Sequence, residues 1–207
     1  MKTSIKAGLA VLALAFTGVA QADWSANLGW ASEYHFRGIF QHASSASGGF
    51  DYESGGFYAG TWGADVGDGL EVDGYFGYGG ESGDFGYSIG YTGYFYTGDF
   101  DDTYQEINLG GSYGIASVDV AVGQYENFEG PTQDYVYYAL TLAAESGFYA
   151  TFAGFSQDAE GEYIELGYGT TVSDIDLGVH LILANDDLVG DADESLIFTI
   201  GKSFDLQ

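Results

Sequence analysis

The chain has no cysteine, a single proline (Pro131), and only four lysines and arginines among 207 residues. Without cysteine there can be no disulfide framework, the device by which many small exported domains compensate for a modest core. With so few basic residues against 31 acidic ones, nucleic acid and anionic ligands are poor partners, because both would be repelled. No stretch of the mature chain approaches the roughly 18 consecutive apolar residues that a spanning helix requires. The three histidines, His35, His42 and His180, form no His-x-x-x-His pair, and with no cysteine beside them they mark no transition-metal site. Gly-x-Ser-x-Gly is also missing, so neither a cofactor nor an enzyme activity is expected.

At the N-terminus, Lys2 and Lys6 precede an apolar run from Ala7 to Phe16 and then Ala20-Gln21-Ala22. This order of charge, short apolar segment and small-x-small site predicts a signal peptide over residues 1–22, with one domain over residues 23–207. Removing it leaves Arg37 and Lys202 against all 31 acidic residues, a net charge of about −29.

What the chain has in abundance is glycine, 34 residues, with 18 tyrosines and 15 phenylalanines. From Trp24 to Phe40 the even positions read Trp24, Ala26, Leu28, Trp30, Ser32, Tyr34, Phe36, Gly38 and Phe40. The odd positions are small, polar or charged, Glu33, His35 and Arg37 among them. A period of two is the mark of a strand with one apolar and one polar face. With turn residues as punctuation, the same pattern predicts twelve strands, near 24–41, 46–53, 57–66, 69–79, 84–97, 102–113, 116–126, 134–144, 148–156, 162–172, 174–184 and 194–204. Short connections such as Ser54-Gly55-Gly56 and Glu81-Ser82-Gly83 alternate with mostly longer acidic ones, including His42 to Ser45, Gly98 to Asp101 and Asn185 to Asp193.

The pattern predicts an all-β protein, a single antiparallel transmembrane β-barrel of about twelve strands. Short turns would face the periplasm and modest acidic loops the cell exterior, in the outer membrane of a Gram-negative bacterium. Outer-membrane lipid is then the first partner, with Tyr, Trp and Phe near strand ends as interfacial girdles. The alternative use of such alternation is a soluble β-sandwich, whose apolar face would be its core. Expected outward positions begin with Tyr58 and Trp62 and continue through Leu70, Val72, Phe76 and Tyr78 to Leu196, Phe198 and Ile200. Carboxylates fall on the other face, giving an expected pore lining of Glu33, His35, Arg37, Asp51, Glu53, Asp65, Glu71, Asp73, Glu106, Asp119, Glu165 and Asp176.

The run Asn27-Leu28-Gly29, Ser32 to Gln41, Gly48-Gly49-Phe50-Asp51-Tyr52 and Ser54 to Trp62 resembles the TorF-type porin family of proteobacterial outer-membrane proteins. The specific part of the resemblance covers about residues 24–66, and it implies a barrel and a porin. One departure from outer-membrane strands, which commonly finish on an aromatic, is the extension Asp205-Leu206-Gln207 beyond Phe204.

Only Arg37 is a basic neighbour of the inward carboxylates. Unpaired carboxylates cost several kcal/mol each in a dry interior, so a wet lumen is expected. An acidic pore of this kind would pass small cations or neutral solutes and repel anions; the alternative is a plugged structural or surface-interaction barrel, which would conduct nothing. Arg37 is expected to pair with Asp51 or Glu53 on the adjacent strand, or to form a constriction. The acidic stretches around Asp99 to Asp102 and Asp186 to Glu194 lack the EF-hand pattern and read as solvated loops.

Overall fold

The computed structural model describes residues 23–128 and 130–206; the signal segment expected over residues 1–22 lies outside them. Twelve antiparallel strands follow one another along the chain: β1 (Asp23–Phe36), β2 (Ile39–Ser54), β3 (Phe57–Gly67), β4 (Gly69–Ser82), β5 (Phe85–Thr97) and β6 (Tyr104–Tyr113), then β7 (Ala116–Tyr125), β8 (Gln133–Ala143), β9 (Phe148–Gln157), β10 (Gly161–Val172), β11 (Ile175–Ala184) and β12 (Asp193–Leu206). Each strand pairs with its neighbours in sequence, and β1 pairs with β12, so the sheet closes into a barrel. Closure is what lets a β-structure stand in hydrocarbon, because it removes the two sheet edges whose amides would otherwise face lipid. A one-turn helix, α1 (Asp186–Val189), interrupts the β11–β12 connection.

The two ends of the barrel differ. At one end lie the start of β1, the end of β12 and the tight turns at residues 55–56, 83–84, 114–115, 144–147 and 173–174. At the other lie the longer connections at residues 98–103, 158–160 and 185–192, with the described residues 126–128 and 130–132. Period-two patterning decides the faces. Leu28 and Phe148 are each 63% exposed on the outside, with Phe76, Ile89, Val122, Leu166, Leu196 and Phe198 around the same belt. So much uncovered apolar surface is not the core of a soluble sandwich but a wall made for an apolar solvent. Toward the tight-turn end the belt finishes in aromatic pairs, Trp24 with Tyr52 at 4.9 Å and Phe148 with Tyr168 at 4.7 Å between ring centres.

Two strand expectations need correction. The first strand does not run from 24 to 41: it ends at Phe36, turns through Arg37 and Gly38, and returns as β2, so residues 42–45 are strand rather than connection. The alternation persists through that turn in sequence and hides it. On β3, Tyr58 and Trp62 face inward, not outward. Tyr58 is buried over Gly77 and Gly90, and Trp62 stands opposite inward Asp73 with its ring 5.7 Å from Tyr34.

Candidate functional site

The end of the β1–β2 hairpin leaves the barrel wall. Pairing of β1 with β12 stops at Ala31 and Thr199, and pairing of β2 with β3 begins only at Ser47 and Ala64. Between these points the hairpin is laddered only to itself, through pairs such as Glu33 with Ala43 and Phe36 with Ile39. A register shift between Tyr34 and His35 and a left-handed backbone at Ser44 (φ 60°) supply the bend. Serine hydroxyls replace the missing ladder partners. Ser32 Oγ accepts the Phe198 amide at 2.9 Å, and Ser45 Oγ donates to the Asp65 carbonyl at 2.7 Å.

The hairpin closes with both turn residues at positive φ, Arg37 at 51° and Gly38 at 85°, the geometry of a tight two-residue turn. Gly38 is needed twice over. It takes the left-handed backbone readily, and a Cβ there would lie 2.7 Å from the Tyr163 ring. The turn carries Arg37 to the far side of the lumen, where its guanidinium meets Glu106 of β6 in a two-pronged ion pair. Nη1 donates to Oε2 at 2.8 Å and Nη2 to Oε1 at 2.7 Å. The Glu106 side chain has no accessible surface, and that of Arg37 is 13% exposed. Three more donors converge on the same carboxylate: Tyr94 at 2.8 Å, Tyr135 at 2.9 Å and Asn108 at 2.6 Å. The guanidinium also lies over the Tyr137 ring at 4.1 Å. Charge-assisted bonds with this geometry are the strong class of hydrogen bond.

Beside this clamp, Tyr34 of the hairpin donates to Glu71 Oε1 at 2.6 Å and Tyr96 donates to Oε2 at 3.0 Å. Glu71 is completely buried, and Asp73, two residues along, is 8% exposed with Oδ1 lacking a hydrogen-bond partner. The opposite wall, β7 to β12, presents an apolar core that includes Ala121, Ala139, Ala153, Ile182 and Ile197. The hairpin tip is thus packed between a wall of carboxylates and phenols and a wall of small and branched apolar residues.

At this level side chains fill the lumen, and Glu71 and Glu106 are held there away from bulk solvent. The premise that carboxylates need cations missed the tyrosines. Phenols also hold Asp51 (Tyr75, 2.5 Å), Asp101 (Tyr104, 2.9 Å; Tyr125, 2.8 Å) and Glu165 (Tyr149). A buried carboxylate whose lone pairs accept hydrogen bonds escapes much of the desolvation cost.

Of the residues expected to line a pore, Glu71 and Glu106 bond to the hairpin, Asp73 lies two residues from Glu71, and Arg37 is on the hairpin itself. Asp51, Asp119, Glu165 and Asp176 point inward nearer the tight turns, Asp51 also taking a bond from Asn27 at 3.3 Å and Asp176 one from Thr171 at 2.6 Å. Glu53 follows Asp51 on the same face of β2, opposite inward Tyr58. Glu33 and His35 pair with each other at 3.0 Å on the hairpin. Asp65 does not line the interior: it stands opposite outward Leu70 and accepts the Gly67 amide at 2.8 Å, at the end of β3. Arg37 pairs with neither Asp51 nor Glu53. Its partner lies 69 residues away, a distance that no spacing rule on adjacent strands could supply. Reasoning from sequence also missed His180, which contacts Tyr149, Glu165 (3.1 Å) and Thr199 (3.3 Å) inside the barrel.

A family model described as a bacterial protein of unknown function, Gcw_chp, matches residues 16–199. The chain belongs to the Gcw_chp family. No curated protein matches it. Among solved structures, a membrane protein from a study of in-meso crystallization is similar, with a TM-score of 0.57 at 10% identity, covering 89% of this chain and 84% of that one. At this identity the likeness concerns the fold: this Gcw_chp chain shares the barrel of a membrane protein. The outer membrane protein OpdK of Pseudomonas aeruginosa also matches, with a TM-score of 0.41 at 10% identity, over 79% of the Gcw_chp chain and 58% of its own. OprD of the same organism gives 0.41 at 12% identity, over 90% and 67%.

Proposed function

We propose that this protein is a porin-like channel of the Gram-negative outer membrane, held closed in the conformation described here by its own β1–β2 hairpin. The tight turns would face the periplasm and the longer loops the exterior, which is the arrangement of outer-membrane barrels in general. The TorF-type resemblance of residues 24–66 agrees with this reading. The observation that carries it is the Arg37–Glu106 pair across the lumen. A barrel built only as a structural shell has no need to spend its one interior arginine on fastening a hairpin to the far wall. A channel that must stay shut until the hairpin moves does.

Once the hairpin is withdrawn, the passage is lined by Glu71, Asp73, Asp51, Asp119, Glu165 and Asp176. Rings of carboxylates concentrate cations and exclude anions, so the open state passes small cationic or neutral solutes. Conductance in planar bilayers under a potassium chloride gradient tests the reading. The native protein should give rare steps, while Arg37→Ala and Glu106→Gln should give frequent ones with a cation-selective reversal potential. If both variants fold, as heat-modifiable migration reports, yet give no steps, the barrel is a plugged non-conducting one.

A further inference from the structure

Nearer the tight turns than the plug, three adjacent strands bring a carboxylate, an imidazole and a hydroxyl into line on the inner face. Glu165 Oε1 of β10 lies 3.1 Å from His180 Nδ1 of β11, and His180 Nε2 lies 3.3 Å from Thr199 Oγ1 of β12. Tyr149 of β9 touches both Glu165 Oε1 and His180 Nδ1. The direction of this chain follows from its end. A carboxylate only accepts, so the Tyr149 O–H and the His180 Nδ1–H are both turned toward Glu165. A phenol turned to Nδ1 instead would leave the carboxylate facing two lone pairs. With the proton on Nδ1, Nε2 carries the lone pair, and Thr199 Oγ1 donates to it.

Two glycines keep the space in which these groups meet. Thr199 stands opposite Gly178, and a Cβ on Gly178 would lie 2.8 Å from His180 Nε2 and closer still to Thr199 Oγ1. Gly167 stands between Tyr149 and His180 on the neighbouring strands, and a Cβ there would strike the Tyr149 ring. Neither glycine has a positive φ, so no turn requires it. The His180 side chain is 8% exposed and that of Glu165 19%, whereas Thr199 is half-buried. Inward Thr171, farther toward the tight turns, is exposed, so the lumen is open at that end.

A hydroxyl, an imidazole and a carboxylate joined in this order, with Nε2 on the hydroxyl and Nδ1 on the carboxylate, form the activated nucleophile of acyl transfer. We propose that Thr199 and His180, positioned by Glu165, hydrolyse small uncharged carboxylic esters entering from the tight-turn end. Thr199 Oγ1 bonds to the ester carbonyl carbon while its proton passes to His180 Nε2. The bond to the alcohol oxygen breaks, the alcohol leaves with that proton, and the acyl group stays on Thr199. Water then gives a proton to Nε2 and its remaining O–H to the acyl carbon. The carboxylic acid leaves, and the proton returns from Nε2 to Thr199 Oγ1. Glu165 faces the imidazolium that forms in each half. The inward carboxylates Asp119 and Asp176 disfavour anionic esters. The site draws its members from three strands, so a contiguous motif such as Gly-x-Ser-x-Gly does not reveal it. The inference goes beyond the channel reading and needs no movement of the hairpin.

The test is hydrolysis of phenyl acetate by the folded protein in phosphatidylcholine nanodiscs, with empty discs as the blank. Turnover should saturate with ester, and the anionic analogue 4-acetoxybenzoate should react at least about tenfold more slowly. Thr199→Val, which keeps the side-chain shape, and His180→Gln should each abolish turnover, whereas Thr199→Ser should retain it. Glu165→Gln should lower kcat and leave KM in place, the mark of a positioning residue. An alkyl fluorophosphonate, losing fluoride, should add its mass at Thr199 in the native protein and fail to do so in His180→Gln. No saturable turnover by the folded native protein, or unchanged turnover in folded Thr199→Val, would overturn the proposal. If His180→Gln does not fold, as heat-modifiable migration reports, Thr199→Val decides.

Discussion

The phenol of Tyr34 and the carboxylate of Glu71 meet at 2.6 Å, joining the inward hairpin to β4 at a point where Glu71 has no contact with solvent. Tyr34→Phe keeps the ring packing and removes one of the two phenols on that carboxylate. Leaving a buried acceptor short of a partner costs about 1–3 kcal/mol. The urea midpoint for unfolding from lipid vesicles should fall accordingly, and an unchanged midpoint would mean that Tyr96 alone satisfies Glu71.

Arg37 and Glu106 allow a sharper comparison. Removing one partner of a buried pair strands the other charge, at about 3–5 kcal/mol, whereas replacing both by apolar side chains of similar volume is often near neutral. Arg37→Met should therefore destabilise strongly, and Arg37→Met with Glu106→Leu should recover much of the loss. Equilibrium unfolding of both variants decides it. A double variant as unstable as the single one would show that the hydrogen bonds from Tyr94, Tyr135 and Asn108 matter more than the charge pair.

The hinge can be tested without touching the plug. Ser32→Ala takes the acceptor from the Phe198 amide, a change worth about 1–3 kcal/mol where water does not replace it. Hydrogen exchange at Phe198 should accelerate by roughly the corresponding factor of ten to a hundred. Amides of the β1–β12 ladder below Ala31 should keep their protection.

Gly38→Ala and Gly55→Ala form a matched pair, because both glycines sit in turns at positive φ, 85° and 60°. The left-handed backbone alone costs an alanine about 1–2 kcal/mol. Nothing lies within 4 Å of a Cβ at Gly55, whereas one at Gly38 would strike Tyr163. Both variants should lose stability in the unfolding assay, and only Gly38→Ala should raise bilayer conductance by dislodging the hairpin. Equal conductance from the two would count against a hairpin plug.

The barrel was legible in sequence because most strands obey one rule throughout. In Ile175 to Ala184, for example, Leu177, Val179, Leu181 and Leu183 meet the outside while Gly178, His180, Ile182 and Ala184 face in. The rule fails where aromatics serve both faces. Phe57 and Tyr58 are adjacent and equally apolar by composition, yet Phe57 is outward and Tyr58 inward. The plug was illegible for a related reason. Tyr34 and Phe36 continue the apolar positions of Trp24, Leu28 and Trp30, and nothing in that alternation shows that the hairpin leaves the barrel wall beyond Ala31 and carries them inward. A usable signal did exist: inward tyrosines are plentiful among inward carboxylates, and each phenol is a donor that a count of basic residues ignores.

Phenols hold these carboxylates in place while cancelling none of their formal charge. Hydrogen bonds of that kind depend on contact rather than on long-range attraction, and dissolved salt reaches little of the packed interior to screen it. The inside of the barrel should therefore keep its cohesion in brine and in dilute medium alike, while its acidic loops feel every change in the water around them.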